Sequence, residues 1–75
     1  MAGHDEVSIH IDKKDFHLTS PQSGEKLREL GKLASNYDLW EEVPGGQDKL
    51  IEPTDSVELK NGMHFFSVEQ NINPG

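Results

Sequence analysis

The chain has 75 residues, enough for one small domain with a single modest core, because a chain of this length buries only about 60% of its unfolded surface. Its 14 acidic and 7 basic residues give a formal charge of −7, which repels phosphate backbones and disfavours nucleic acid as a partner. The sequence has no cysteine and no stretch near the ~20 apolar residues of a membrane helix, which argues against disulfides, thiolate chemistry and a membrane partner, and a soluble cytoplasmic protein is expected.

The first two predicted elements are strands that form a hairpin. Val7, Ile9 and Ile11 alternate with polar residues, which is the period-2 pattern of a half-buried strand. After a polar break, Phe16 and Leu18 resume this alternation. The chain therefore turns back on itself shortly after its first strand.

A helix is the next predicted element. Ser23 is a suitable N-cap, because its hydroxyl can accept a hydrogen bond from an amide of the first turn. Apolar residues then recur at intervals of three and four, so that one stripe can pack on a core: Leu27, Leu30, Leu33 and Ala34. This spacing predicts a helix over Gly24–Ala34. Gly31 disfavours it by up to about 1 kcal/mol relative to alanine, and a close approach of the helix to the sheet would explain that choice.

The second half of the chain returns to strands and turns. In chain order we predict a strand over 37–43, a turn at 44–46, a short strand at Leu50-Ile51, an irregular segment over 54–63 with one helical turn, and a last strand over 65–68.

This order of elements, with one helix between two pairs of strands, predicts an α+β fold in two layers. One helix covers only one face of a sheet, so the other face stays open. With the first and last strands side by side in the middle, the result is a β-grasp, a mixed four- to five-stranded sheet with one helix packed on one face. We expect this domain over 7–70, between a flexible N-terminus at 1–6 and a flexible tail at 71–75.

Four short motifs lie along the chain: Ser23-Gly24-Glu25-Lys26-Leu27, Tyr37-Asp38-Leu39-Trp40, Val57-Glu58-Leu59 and Gly62-Met63-His64-Phe65-Phe66. Together they resemble the multiubiquitin domain of bacterial ubiquitin-like proteins, and the resemblance covers roughly Val7 to Gln70. It implies a ubiquitin-like fold and a protein modifier without enzymatic activity of its own. The partners implied are an activating enzyme, a conjugating enzyme, a metal-dependent isopeptidase and target proteins, in operons linked to antiphage defence.

A modifier of this kind needs a slim C-terminal end that reaches the active site of the activating enzyme. The resemblance therefore implies that Gly75 is the conjugation residue, joined to targets by an isopeptide bond, with Ile72, Asn73 and Pro74 forming an extended tail. Pro74 departs from the Gly-Gly ending of ubiquitin, and its ring fixes φ near −65°. The alternative interpretation of these residues is an ordinary frayed terminus.

Two further functions remain open at this point. One is a sulfur carrier, in which the same carboxylate becomes a thiocarboxylate, although such carriers usually end in Gly-Gly. The other is a docking module that binds partners and is never conjugated.

Two aromatic residues are candidates for partner binding. If Leu39 faces the helix, then Trp40 faces the open side of the sheet, where ubiquitin-like proteins usually present a recognition surface. Phe65, expected to be opposite in phase to Phe66, would join it there. The alternative is that Trp40 or Phe65 completes the core.

Catalysis, cofactors and metals find little support in the sequence. A two-residue turn at Lys13-Lys14 would pair His10 with His17 on one face of the hairpin. Two imidazoles are not enough for a structural zinc site, which requires four ligands. Paired carboxylates such as Glu41 and Glu42 are adjacent in a strand, so they point to opposite faces and cannot share a substrate. No nucleophile elbow or phosphate-binding loop is present. We expect no catalytic residues, no metal site and no cofactor.

Overall fold

The computed structural model describes residues 6–70, and the predicted flexible N-terminus and tail lie largely outside them. The elements follow one another as β1 (Glu6–Ile11), β2 (Lys14–Thr19), β3 (Gln22–Ser23), α1 (Gly24–Gly31), β4 (Tyr37–Glu42), β5 (Lys49–Ile51), β6 (Ser56–Val57) and β7 (Met63–Glu69).

Five strands form a mixed sheet in the order β2-β1-β7-β4-β5. The first and last strands, β1 and β7, are parallel neighbours in the middle, and the other pairs are antiparallel. The helix α1 packs on one face of this sheet. The predicted α+β β-grasp, with one helix on a mixed sheet, is confirmed.

The core lies between α1, one face of the sheet and the segment that links β5 to β7. Its buried residues come from all three: Ile9, Ile11, Leu27, Leu39, Ile51, Val57, Leu59 and Phe65. Leu30 packs against this cluster from the helix and is partly buried. The predicted packing of α1 through Leu27 and Leu30 is confirmed.

The turn of the first hairpin lies one residue earlier than predicted. Ile11 pairs with Lys14 and Ile9 with Phe16, so the turn residues are Asp12 and Lys13. Asp12 adopts a positive φ of 56°, which short polar side chains tolerate better than lysine does. Its carboxylate also accepts hydrogen bonds from the backbone N–H (3.0 Å) and the hydroxyl (2.9 Å) of Ser67, which fixes the turn against β7.

The helix begins as predicted and ends three residues early. The Ser23 hydroxyl accepts a hydrogen bond from the Lys26 N–H at 3.0 Å. At the other end Lys32 is left-handed, with φ 56° and ψ 43°, and the N–H of Leu33 donates to the carbonyl of Arg28 at 3.0 Å. This is a Schellman C-cap with lysine where glycine is usual.

Two glycines let α1 approach its neighbours closely. A Cβ on Gly31 would lie 2.8 Å from Cγ2 of Ile11, so this glycine allows the end of the helix to rest on β1. A Cβ on Gly24 would collide with the backbone carbonyl of Glu52. The close approach proposed for Gly31 from the sequence is therefore present.

The segment between β5 and β7 holds the start of the helix. The N–H groups of Gly24 and Glu25 donate to the carbonyls of Asp55 and Pro53, each at 2.9 Å. The predicted helical turn in this segment is wrong, because the chain forms turns and the short strand β6, which pairs with β3. Within residues 6–70, no helix has the length and apolar character needed to cross a membrane.

Candidate functional site

The face of the sheet opposite α1, hereafter the open face, is the candidate site. Strand residues alternate between the two faces, and the register places these on the open face: Glu6, Ser8 and His10 of β1; Asp15, His17 and Thr19 of β2; Asp38, Trp40 and Glu42 of β4; Leu50 of β5; and His64, Phe66 and Val68 of β7. None of these thirteen residues is buried.

Four apolar side chains on β7, β4 and β5 form a cluster on this face, hereafter the open-face patch. Trp40 is paired with Leu50 on one side and with Phe66 on the other, and Val68 follows Phe66 on the same face of β7. Leu50 is 37% exposed and Val68 is 43% exposed. Exposed apolar side chains that cluster in this way mark surfaces that bind other proteins. Trp40 lies where the sequence places it, and its role in binding stays a prediction.

The predicted exposure of Phe65 is wrong. This side chain is 1% exposed and lies in the core, on the face that α1 covers, where its backbone is paired with Ile11. The phase of β7 is the reverse of the expected one, so Phe66 and Val68 point outward. Phe66 is thus the residue that sequence reasoning missed, and the polar His64 two positions earlier was the signal that this phase faces water.

A pair of stacked imidazoles lies beside the open-face patch. The rings of His10 and His64 are 4.6 Å apart between centroids and inclined by 11°. Nε2 of His10 lies 2.6 Å from the Asp15 carboxylate. The other ring nitrogen of His10, Nδ1, is buried and makes no hydrogen bond within the described part of the chain. The predicted pairing of His10 with His17 is wrong, because the shifted turn places His17 opposite Ser8.

The described residues offer little for metal or acid–base chemistry. Between residues 6 and 70, no three His, Asp or Glu side chains are grouped so that they could hold a metal ion. The adjacent carboxylates of Glu41 and Glu42 lie on opposite faces of β4, since Glu42 is paired with His64 on the open face and Glu41 with the buried Phe65.

The C-terminal end of the described chain is attached beside this surface. The Gln70 N–H donates to the carbonyl of Asn36 at 2.7 Å, and the Gln70 side chain donates to the Asp38 carboxylate at 2.9 Å. The chain therefore leaves the sheet next to the open face, near Val68. The predicted tail residues Ile72, Asn73 and Pro74 and the predicted conjugation residue Gly75 lie outside the described residues and stay predictions.

Comparison with known proteins gives a match to a protein family. A family model described as multiubiquitin covers residues 7–71, nearly the whole chain. No curated protein and no solved structure matches the sequence at a significant level.

Proposed function

The chain belongs to the multiubiquitin family, and on that premise we propose that it is a ubiquitin-like protein modifier joined to target proteins through Gly75. In the first step, an activating enzyme couples the Gly75 carboxylate to the α-phosphate of ATP and pyrophosphate leaves. A cysteine thiolate of the enzyme then displaces AMP and forms a thioester. After transfer to a conjugating enzyme, an amine of the target displaces the thiol and an isopeptide bond forms.

The proposal includes the pathway that the resemblance implies. The modifier works in a bacterial cytoplasm, in antiphage defence, and a metal-dependent isopeptidase removes it from its targets. It carries no catalytic group of its own and needs no cofactor. The observation that carries this proposal is the family match across the whole β-grasp domain.

The geometry of the open face supports the proposal. A modifier needs a surface that enzymes can grip and an end that reaches their active site. The open-face patch supplies apolar side chains for contact with an enzyme. The chain leaves the sheet at Gln70, beside Asp38 of the same face. An enzyme bound to the patch would therefore lie close to Gln70, from which the chain continues towards Gly75.

Thioester formation tests the proposal directly. The protein is incubated with ATP and the activating enzyme encoded beside it. The masses of the products are measured by intact-mass spectrometry without reducing agent, because thiols cleave the thioester. We expect a thioester adduct of the wild-type protein and none after deletion of Gly75, which should leave thermal unfolding unchanged. Transfer of the truncated protein, or a wild-type protein that is never adenylated, would refute the modifier function.

Alanine substitutions on the open face test the enzyme contact. Trp40→Ala and Phe66→Ala should each raise the KM of the activating enzyme for the modifier, whereas His17→Ala, on the same face outside the patch, should leave it unchanged. Equal KM values for all these variants would remove the open-face patch from the enzyme contact.

The same experiments separate the two alternatives. A sulfur carrier would gain mass by exchange of a carboxylate oxygen for sulfur and would not transfer to targets. A docking module would bind through Trp40 and Phe66 without any ATP-dependent adduct. The open-face patch by itself fits the docking module as well as the modifier, so the adduct decides between them.

A further inference from the structure

The charges on the open face are all of one sign when its histidines are neutral. Its carboxylates are Glu6, Asp15, Asp38 and Glu42, and no Lys or Arg lies among the strand residues of this face. The seven basic residues of the protein all lie in turns, in α1, in the segment between β5 and β7, or on the helix side of the strands. The overall charge of −7 is therefore unevenly spread, with the open face as an acidic surface.

The carboxylates surround the open-face patch at both ends. Asp38 and Glu42 precede and follow Trp40 by two residues on the same face of β4. Across the sheet, Asp38 is paired with Val68 and Glu42 with His64. Any protein that covers the patch must therefore bring its own rim next to these two carboxylates.

The chemistry of that rim follows from the charges. An acidic rim on the partner would place like charges opposite each other in a partly desolvated contact, which opposes binding. Lysine or arginine there would form charge-assisted hydrogen bonds with the carboxylates, and the opposite charges would also speed association.

We propose that the open-face patch binds a partner protein surface on which apolar anchor side chains are bordered by lysine or arginine. This inference rests on the proposed function in one respect, because it takes the open face as the docking site, and it adds the chemistry of the partner. The apolar anchors cover Trp40 and Phe66. The basic border contacts Asp38 at one end of the patch and Glu42 at the other.

Two synthetic helical peptides of equal length test this chemistry. Both carry the same stripe of leucines, which is bordered by lysine in one peptide and by glutamate in the other. Trp40 is the single tryptophan of the protein, so its fluorescence and its indole N–H resonance report on the patch alone. We expect the lysine peptide to bind at least about tenfold more tightly, with a difference that shrinks as salt is added.

A matched pair of charge reversals locates the effect. Glu42→Lys and Glu58→Lys change the net charge equally, but Glu58 is exposed in the segment on the opposite side of the sheet. Glu42→Lys should weaken binding of the lysine peptide several-fold and strengthen that of the glutamate peptide, whereas Glu58→Lys should change neither appreciably. Trp40→Ala removes this reporter, so its binding is measured by isothermal titration calorimetry, and it should weaken binding of both peptides.

Several results would overturn the inference. These are equal or tighter binding of the glutamate peptide, equal effects of the two charge reversals, and the lack of any change at Trp40 when the lysine peptide is added. Thioester formation through Gly75 is measured separately. A thioester without the charge preference would remove only this inference, and the charge preference without a thioester would remove only the modifier function.

Discussion

Phe65 and Phe66 are neighbours in β7 whose side chains lie on opposite faces of the sheet. Phe65 is buried among the core residues, whereas Phe66 is half-buried beside Trp40 on the open face. We expect Phe65→Ala to lower the free energy of unfolding by about 3–5 kcal/mol, because it leaves a cavity in the core. Phe66→Ala should cost about 1 kcal/mol or less. Urea denaturation of the two variants measures both, and equal losses would show that Phe66 is structural.

Gly24 occupies a position where no side chain fits. A Cβ there would collide with the backbone carbonyl of Glu52, and backbone yields less readily than a side chain. Gly24→Ala should therefore displace the carbonyls that accept from the first turn of α1 and lower the free energy of unfolding by about 2–3 kcal/mol.

Gly46→Ala is the control for this prediction. Its Cβ would meet only Cγ1 of Val43 at 3.2 Å, in an exposed turn, so its effect should be small. A Gly24→Ala variant with the same urea midpoint as the control would contradict the close approach of α1 to Glu52.

The C-cap of α1 provides a prediction at the scale of the element. Lys32 is left-handed, which costs a residue with a Cβ roughly 1–2 kcal/mol, and glycine adopts this conformation freely. Lys32→Gly should therefore raise the free energy of unfolding by about 0.5–1 kcal/mol, after allowance for the greater entropy of glycine in the unfolded chain. The urea midpoint is again the measurement.

Lys26→Gly is the matched control, because it makes the same exchange inside the same helix. Lys26 is exposed and helical, so glycine should there cost about 1 kcal/mol. The two Lys→Gly variants should thus move the urea midpoint in opposite directions. A shift in the same direction would contradict the left-handed cap.

The five strands of the main sheet and the helix were predictable from the sequence, but the short strands β3 and β6, the register of the first hairpin and the end of α1 were not. A two-residue slip of the first hairpin leaves Ile9, Ile11 and Phe16 on the same face, so the hydrophobic pattern cannot distinguish the two pairings. Asp12 fixes the position of the turn through its hydrogen bonds with Ser67. Ser67 is far from Asp12 in sequence, so local sequence patterns do not show this contact.

The end of the helix and the phase of β7 could not be predicted from the apolar pattern, because in both places apolar residues continue beyond the expected positions. Leu33 continues the apolar stripe and still packs on the core, although it lies beyond the left-handed Lys32. In β7 both faces carry apolar residues, so alternation alone does not identify the buried one. For this reason the sequence pattern alone places Phe65 on the open face, whereas the structure has Phe66 there and Phe65 in the core.

At the scale of the whole molecule, the central strands of the sheet are hydrogen-bonded on both sides, and the two edge strands on one side only. The strands β1, β7 and β4 have a neighbour on each side, whereas β2 and β5 are edge strands, and β5 has only three residues. Opening of an edge strand breaks one ladder, but opening of a central strand breaks two and exposes core residues. Local stability should therefore decrease from the centre of the sheet towards β5.

This gradient divides the open-face patch. Trp40, Phe66 and Val68 lie on central strands, while Leu50 lies on β5. We expect the hydrogen-bonded amides of β1, β4 and β7 to exchange with solvent only by global unfolding, and those of β5 to exchange faster through local opening. Amide hydrogen exchange followed by NMR measures this directly. The patch would then consist of a rigid aromatic pair, Trp40 and Phe66, and a more mobile edge at Leu50, which would suit the proposed contact with several enzymes in turn. Exchange at one common rate across all five strands would contradict the gradient and leave the patch uniformly rigid.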